Sequence, residues 1–490
     1  MAETLTSAAA VVEAAAAPPS GLRRGSLSMV EVLSQSIANM APTAAMALNP
    51  LLVFLNAGNG TWLSTAIAIV LMLCVGYCAA QFAGRMNSAG SFYVWVTRGL
   101  GPGSGHAAGW GLQLGYIVTG MATIAGFGIF GGDFLDRMGL PGSQPATRAI
   151  LFAIDFVVAV TLAIADMKLS ARTSLVLESI SVALIILLCV AIWVARGGVV
   201  DTNQVTMRGV LPGGVVVGVV LAIFSFVGFE SAGSLGMEAR NPQRAVGRSI
   251  LLSCLLVGLF YVLVSYSEVF GFQGTNPGFA KSSAPLPDLA GLLHLGFLAP
   301  IFDIGIAASG FACTLACVNA ASRIAYAMAH DGMGVDALKR THQSRNTPHT
   351  AILVVAVPML VVPAALVLKG ANPVDVLGWT GTLSTFGFMV AYGLVALAAP
   401  LFLRRFGGLT PIAILVGAIG AVSMAIVFYA SWLPQTIPGG IFPAPTWPYN
   451  LLPYVFFGWM AAGLVWYLVV RLRSPEVAAA IGTRFDTHGA

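Results

Sequence analysis

Twelve apolar runs, separated by short charged or Pro/Gly-rich breaks, fill the chain between residues 29 and 470. They fall at approximately 29–55, 62–82, 106–130, 149–165, 173–195, 210–236, 249–270, 299–328, 350–368, 376–401, 409–432 and 451–470. A membrane crossing needs about 20 apolar residues, and in hydrocarbon only a helix or a closed barrel satisfies its own backbone. Runs of this length leave no room for a separate soluble domain. The expected fold class is an all-α integral membrane protein with 12 transmembrane helices. Charge content agrees, because only 9% of the 490 residues are charged, against about 25% in soluble domains. The six cysteines (Cys74, Cys78, Cys189, Cys254, Cys313, Cys317) all lie in apolar runs and read as small buried hydrophobes. The arginines border the runs and form no basic patch, so no nucleic-acid partner is expected.

Charge also orients the spans. With the N-terminus inside, eighteen of the 24 Lys and Arg residues fall on inner flanks, and the six others (Arg137, Arg148, Arg196, Arg208, Lys281, Lys369) fall outside. That bias favours cytoplasmic termini in a multi-pass plasma-membrane protein. Residues 1–22 carry Glu3 and Glu13 before any positive charge, the wrong order for a secretory signal. Arg23 and Arg24 read as a cytoplasmic anchor and not as a twin-arginine signal.

Two runs contain residues that interrupt a helix. The first holds Ala38, Asn39, Met40, Ala41 and Pro42, in which proline removes a backbone donor and asparagine adds a polar side chain. The sixth holds Phe224, Phe226, Val227, Gly228, Phe229 and Glu230, followed by Gly233 and Gly236. A carboxylate near mid-membrane costs about 2.5–3.5 kcal/mol on insertion scales, and glycine lets the backbone leave helical geometry beside it. Each interruption opens a block of five spans, and an odd-numbered block reverses its direction before the second begins. The expected organisation is a five-plus-five inverted repeat with broken helices 1 and 6, plus two extra helices. Its segments are a disordered tail over 1–28, repeat one over 29–195, repeat two over 196–405, helices 11 and 12 over 406–472, and a cytoplasmic tail over 473–490. The likeness of the halves is positional, with no residue-level repeat.

Three motifs add a family likeness. Phe226-Val227-Gly228-Phe229-Glu230-Ser231-Ala232 is followed by Glu238-Ala239-Arg240-Asn241-Pro242. Ala321-Ser322-Arg323-Ile324-Ala325-Tyr326-Ala327-Met328-Ala329-His330-Asp331-Gly332 precedes Thr347-Pro348. Asn87-Ser88-Ala89-Gly90-Ser91-Phe92-Tyr93-Val94-Trp95 precedes Gly99-Leu100-Gly101-Pro102. In this order and spacing the chain resembles bacterial amino acid permeases of the amino acid–polyamine–organocation (APC) superfamily, over essentially its full length. The resemblance implies that the breaks at 38–42 and 226–229 hold the carboxylate and ammonium groups of an amino acid. Two departures stand out. The first break lacks the glycines of many members, and the region near Ser181 lacks the lysine found in some proton-coupled ones.

Phe224 and Phe229 are candidate walls or gates, against the commoner lipid-facing or core role of phenylalanine. Glu230 is expected to hold the break together or to accept a coupling proton. Ser309, Thr314 and Asn319 on span eight face either the pathway or an ion site beside span one, with back-bonding to their own helix as the alternative. Trp379 and Phe386 belong to an unusually polar tenth span that suits a gating helix. Glu178 and Asp155 line the interior or pair near an interface, whereas Glu268 and Asp303 are expected at solvated span ends. Glu238 and Arg323 are among the charges that could form switchable inner ion pairs, with solvated flanks as the alternative. The segment 271–298 is long enough for an outer lid or a passive loop.

The leading reading is a secondary transporter for amino acids or related amines, with a slight preference for a neutral amino acid. A polyamine or organocation transporter of the same fold is the alternative. A membrane-embedded enzyme is disfavoured, since HExxH and GxSxG motifs are missing, and so is a channel, since no filter loop is visible. No nucleotide motif appears either, so the driving force is an ion gradient (H+ or Na+) or exchange, with no other cofactor. His330, His342 and His349 share one loop at a spacing that fits no zinc pattern, and no metal site is expected. The partners are a small-molecule substrate and the lipid bilayer.

Overall fold

Proline opens most of the long helices, at the first positions where its missing N–H costs nothing. The computed structural model describes residues 21–482 except 87, 277, 283 and 437–444. In chain order its α-helices of five or more residues are α1 (Met29–Met40), α2 (Pro42–Ala57), α3 (Thr61–Ala83), α4 (Phe92–Leu100), α5 (Pro102–Arg137), α6 (Pro145–Ala165), α7 (Met167–Ala195) and α8 (Pro212–Phe224). There follow α9 (Pro242–Gly271), α10 (Pro285–Leu292), α11 (Ala299–His330), α12 (His349–Leu368), α13 (Pro373–Phe406), α14 (Pro411–Trp432), α15 (Leu452–Arg473) and α16 (Pro475–Ala479). Side chains cap several starts: Asp166 accepts from Lys168 N–H at 2.7 Å, and Thr410 accepts from Ala413 N–H at 3.1 Å.

Ten helical segments are long and apolar enough to cross a membrane, the first being the 55-residue stretch Met29–Ala83 that contains α1, α2 and α3. The 13-residue α8 is apolar but shorter. The protein is therefore a multi-pass, all-helical membrane protein. Burial separates a core from an outer ring of exposed apolar side chains. In the most apolar window of the α11 segment 78% of residues are buried, against 17% for the α15 segment. Helices α5, α11 and α13 form the centre, while Leu187, Val361, Leu415 and Leu464 project outward from α7, α12, α14 and α15.

Both ends of the described chain lie on one face, called here the terminal face. Gly21 sits against Tyr326 and Thr341, and Gly482 N–H donates to Asp331 Oδ2 at 2.7 Å. Residues 1–20 and 483–490 of the expected tails lie outside the described residues. Residues 21–28, expected to be disordered, are fixed instead. Leu27 N–H donates to Glu238 O at 3.0 Å, Leu27 O accepts from Arg240 N–H at 2.8 Å, and the Leu27 side chain is fully buried. Ser28 and Glu31 then form a capping box at the start of α1. The composition of the tail gave no sign of this, because its partner, the segment at Ala239, lies about two hundred residues away.

Glu268 and Asp303 are a second difference, since both are buried where solvated ends were expected. Within 271–298, α10 packs over α9 and α11 and shields their ends. Arg137 Nε donates to Asp303 Oδ2 at 2.6 Å, whereas Glu268 has no side-chain partner among the described residues.

Candidate functional site at two helix interruptions

The first interruption is a single residue wide. Ala41 adopts φ 44° and ψ 58°, the left-handed region, which ends α1 at Met40 and restarts the helix at Pro42. Such a conformation costs an alanine about 1–2 kcal/mol, so the surroundings must hold it. They do so through long-range hydrogen bonds. Tyr261 Oη of α9 lies 2.9 Å from Met40 O, and Cys313 Sγ of α11 donates to Asn39 O at 3.1 Å. On the far side of the break, Ser309 Oγ accepts from Ala44 N–H at 3.2 Å and donates to Glu178 Oε1 at 2.6 Å. The carboxyl of Glu178 thus faces the start of α2, where the helix dipole favours negative charge.

The second interruption is longer. Helix α8 stops at Phe224, residues 225–230 run as turns, and a 3-10 segment Ser231–Leu235 follows. Gly228 has φ +91°, and a Cβ there would lie 2.7 Å from Asn39 Cγ. Only glycine fits both the backbone and the neighbour. Glu230, wholly buried, locks the turn: Tyr116 Oη of α5 donates to its Oε1 and Tyr392 Oη of α13 to its Oε2, each at 2.5 Å. Tyr392 Oη in turn accepts from Gly228 N–H at 2.9 Å.

The interruptions lie side by side. Tyr261 Oη is 2.9 Å from Ser225 O as well as from Met40 O. Asn49 Nδ2 donates to Ser225 Oγ, and Ala232 N–H donates to Ser36 Oγ at 3.1 Å. Beside them opens a cavity of about 340 Å³, lined by both breaks and by α5, α11 and α13. It runs from Asn39 and Ser225 to Asp375, Gly378 and Tyr449, away from the terminal face. Among the described residues Asp375 is the only charged one on its wall. Most of the remaining wall is apolar, with polar points at Asn39, Asn49, Thr119, Thr123, Ser225 and Ser384. Two polar atoms of these residues, Asn39 Nδ2 and Thr119 Oγ1, have no partner among the described residues.

Toward the terminal face the protein is filled. Phe226, Phe229, Tyr93 and Trp95 are buried there. Arg323 and Glu238 are paired out of contact with water, Nε to Oε2 at 2.5 Å and Nη2 to Oε1 at 3.0 Å. Toward the opposite face, Phe224 closes against α13 at Gly381, where a Cβ would come within 2.8 Å of the ring.

Of the residues singled out in the sequence, Asn39, Met40, Ala41, Phe224 and Val227 line the cavity. Ala38, Pro42 and Gly228 shape the breaks, while Phe226 and Phe229 back them, packing edge-on against Tyr261 and Tyr392 at 5.2 and 5.3 Å. Ser309 and Glu230 stand behind the wall as supports. Trp379 and Phe386 are not brought to the cavity. Gly378, Gly381 and Ser384 of α13 face it, and Phe386 packs instead against Phe428 and Phe456 at 5.4 and 5.6 Å. Thr314 bonds to Asp155, and Asn319 bonds to Ser170. Missed in the sequence were Tyr116, Tyr261 and Tyr392, although a tyrosine in an apolar run needs a partner for its hydroxyl.

Two interrupted helices that meet beside a cavity are an arrangement that membrane transporters commonly use to hold a small solute. The profile of the amino acid permease family matches residues 31–473, and the chain belongs to that family. An uncharacterized transporter of Mycobacterium tuberculosis is 29% identical over 75% of this chain and 78% of its own length. The branched-chain amino acid permease of Bacillus subtilis is 27% identical over 60% of this chain and 65% of its own. The low-affinity putrescine importer of Escherichia coli is 24% identical over 76% and 80%.

Proposed function

We propose that the protein is a secondary active transporter that carries neutral amino acids with apolar side chains across the plasma membrane by alternating access. The observation that carries this reading is the cavity itself, lined by both interruptions and closed toward the terminal face by the buried Glu238–Arg323 pair. Among the described residues its wall holds no Lys or Arg to bind a second carboxylate and no pair of acids to bind a diamine. The apolar groups Leu48, Phe130, Val227 and Ile306 suit an aliphatic side chain. The amides and hydroxyls near the breaks suit the zwitterionic end. The name of the Bacillus subtilis relative agrees with this preference.

The wider architecture fits the same reading. We take the chain to cross the membrane twelve times with cytoplasmic termini, α1–α2 forming broken helix 1 and α8 with the 3-10 segment forming broken helix 6. The helices that follow each break have similar lengths in the same order: 23, 36, 21 and 29 residues for α3, α5, α6 and α7, and 30, 32, 20 and 34 for α9, α11, α12 and α13. That supports a five-plus-five inverted repeat. In this orientation the cavity faces outward.

A cationic amine is the second reading, favoured by Asp375 at the mouth and by the putrescine importer among the relatives. Reconstituted vesicles supplied with radiolabelled amino acids and polyamines separate the two. Leucine-sized neutral amino acids are expected to give the fastest gradient-driven uptake and to be displaced by one another. Saturable putrescine uptake with no neutral amino acid flux would reverse the assignment.

A further inference from the structure

Asp155 stands near the middle of α6, 1% exposed, and it is separate from the Glu230 support. Its Oδ2 accepts from Thr314 Oγ1 of α11 at 3.1 Å, and its Oδ1 has no partner among the described residues. Thr314 Oγ1 lies 2.9 Å from Thr123 Oγ1 of α5. Thr123 is on the wall of the central cavity. Three side chains on three helices therefore form a continuous hydrogen-bond chain from the cavity to an otherwise isolated carboxyl group.

Among the described residues no opposite charge accounts for the acid. Helix α6 packs against α5, α7, α11 and α12. On α5, His106 and Tyr116 lie toward one end, and Asp133, Asp136 and Arg137 toward the other. The last three are ten or more residues beyond Thr123, about 15 Å along the axis. On α7 the groups are Lys168, Arg172, Glu178 and Cys189; Glu178 is the nearest, and its partner Ser309 is one turn or more from Thr314, about 7.5 Å along α11. On α11, Asp303 is held by Arg137, Arg323 by Glu238, and Cys313 and Cys317 by Asn39, with Tyr326 and His330 at its end. Helix α12 brings only His349, at its first residue, and α6 itself brings Arg148, seven residues before Asp155. None of these makes an ion pair or a hydrogen bond with Asp155 among the described residues. An ionised carboxylate with a single hydroxyl donor in hydrocarbon is strongly disfavoured, so the group is held as the neutral acid. As a packing element alone, an asparagine would serve as well.

We propose that Asp155 is a proton-binding site of the transport cycle, loaded and emptied from the cavity through the hydroxyls of Thr123 and Thr314. A hydronium ion in the cavity gives a proton to Thr123 Oγ1, leaving water, as the hydroxyl passes its own proton to Thr314 Oγ1. Thr314 passes its proton to the Asp155 carboxylate, which ends neutral, and neither hydroxyl keeps a charge. Release runs the same steps in reverse. Both hydroxyls also reach carbonyls on their own helices, Thr123 to Thr119 O at 3.2 Å and Thr314 to Gly310 O at 3.2 Å. Rotation between these acceptors opens and closes the chain.

The inference rests on the transporter reading, and the test separates the two. Purified wild type, Asp155→Asn and Thr314→Val proteins are reconstituted, and each is assayed for substrate accumulation driven by an imposed proton gradient and for one-for-one counterflow exchange without a gradient. Infrared difference spectra between acid and alkaline buffer report the protonated-carboxyl stretch. The proposal expects Asp155→Asn to lose gradient-driven accumulation by about tenfold or more while exchange stays within about twofold, and to lose a carboxyl band present in wild type. Thr314→Val is expected to keep the band and to slow accumulation. Gradient-driven accumulation retained in Asp155→Asn, or wild-type accumulation indifferent to the proton gradient, would overturn the proposal. Should Asp155→Asn lose exchange as well, Thr314→Val decides, with exchange kept and accumulation lost in support and both kept against. A wild type inert toward the whole substrate panel would strike the transport reading instead. The proton site is then judged by the infrared band alone, supported if Asp155→Asn lacks it and overturned if the band is unchanged.

Discussion

Gly228→Ala is expected to lower substrate uptake by about a hundredfold while the protein still inserts and folds. Two costs meet at this position. The backbone has φ +91°, which L side chains avoid, and the added methyl would lie 2.7 Å from Asn39 Cγ and 2.9 Å from Asn39 Oδ1. Overpacking of this kind typically costs about 1–3 kcal/mol, so the fold survives by moving one break away from the other. That movement is what the site cannot tolerate. Asn39 carries a free amide nitrogen at the cavity wall, and Gly228 N–H anchors the Tyr392 hydroxyl that holds Glu230. Initial uptake rates, compared at equal reconstituted protein with thermal unfolding followed alongside, check the prediction. Normal uptake would mean that the close approach of the two breaks plays no part in transport.

Glu238→Ala is expected to have the largest effect on stability. It would strand the Arg323 guanidinium, fully buried, with only Asn319 O at 3.1 Å and Asn319 Oδ1 at 3.4 Å as acceptors among the described residues. Removing one partner of a buried pair typically costs about 3–5 kcal/mol, because the other charge is left uncompensated. The loss would be felt locally first. The pair ties the segment after the second break to α11, whereas the main-chain bond from Leu27 N–H to Glu238 O does not involve the side chain and is kept in the variant. The expected result is a fall of several degrees in the unfolding temperature, together with faster labelling of cysteines placed on the terminal side of the cavity. Unchanged unfolding with unchanged labelling would remove the pair from the terminal-face closure.

The sequence exposed the two interruptions because their causes are local. Proline at 42 and glycine at 228 dictate backbone geometry within a residue or two, and Glu230 is conspicuous in an apolar run. The supports of the breaks were hidden because they are long-range. Tyr116, Tyr261 and Tyr392 come from three different helices, and nothing near them in sequence says which carboxylate or carbonyl they reach. The phase of α13 was hidden for another reason. Its polar residues Thr380, Thr382, Ser384 and Thr385 are spread around the helix and give no periodic signal for its inner face, so the bulky Trp379 and Phe386 were favoured over Gly378 and Gly381. Those glycines face the cavity because Tyr449 and Phe224 need the room. Asp155 was visible as an acid in the shortest run, but its link to the cavity depends on hydroxyls from two other helices.

The central claim is that substrate occupies the cavity between the breaks and reaches it from the face opposite the termini. Ala45→Cys, in a background with the native cysteines replaced, places a thiol on that wall beside the start of α2. The account predicts rapid modification by a water-soluble thiol reagent added at the non-terminal face, slow modification from the terminal face, and protection by saturating transported substrate. A thiol equally reactive with and without substrate would contradict it.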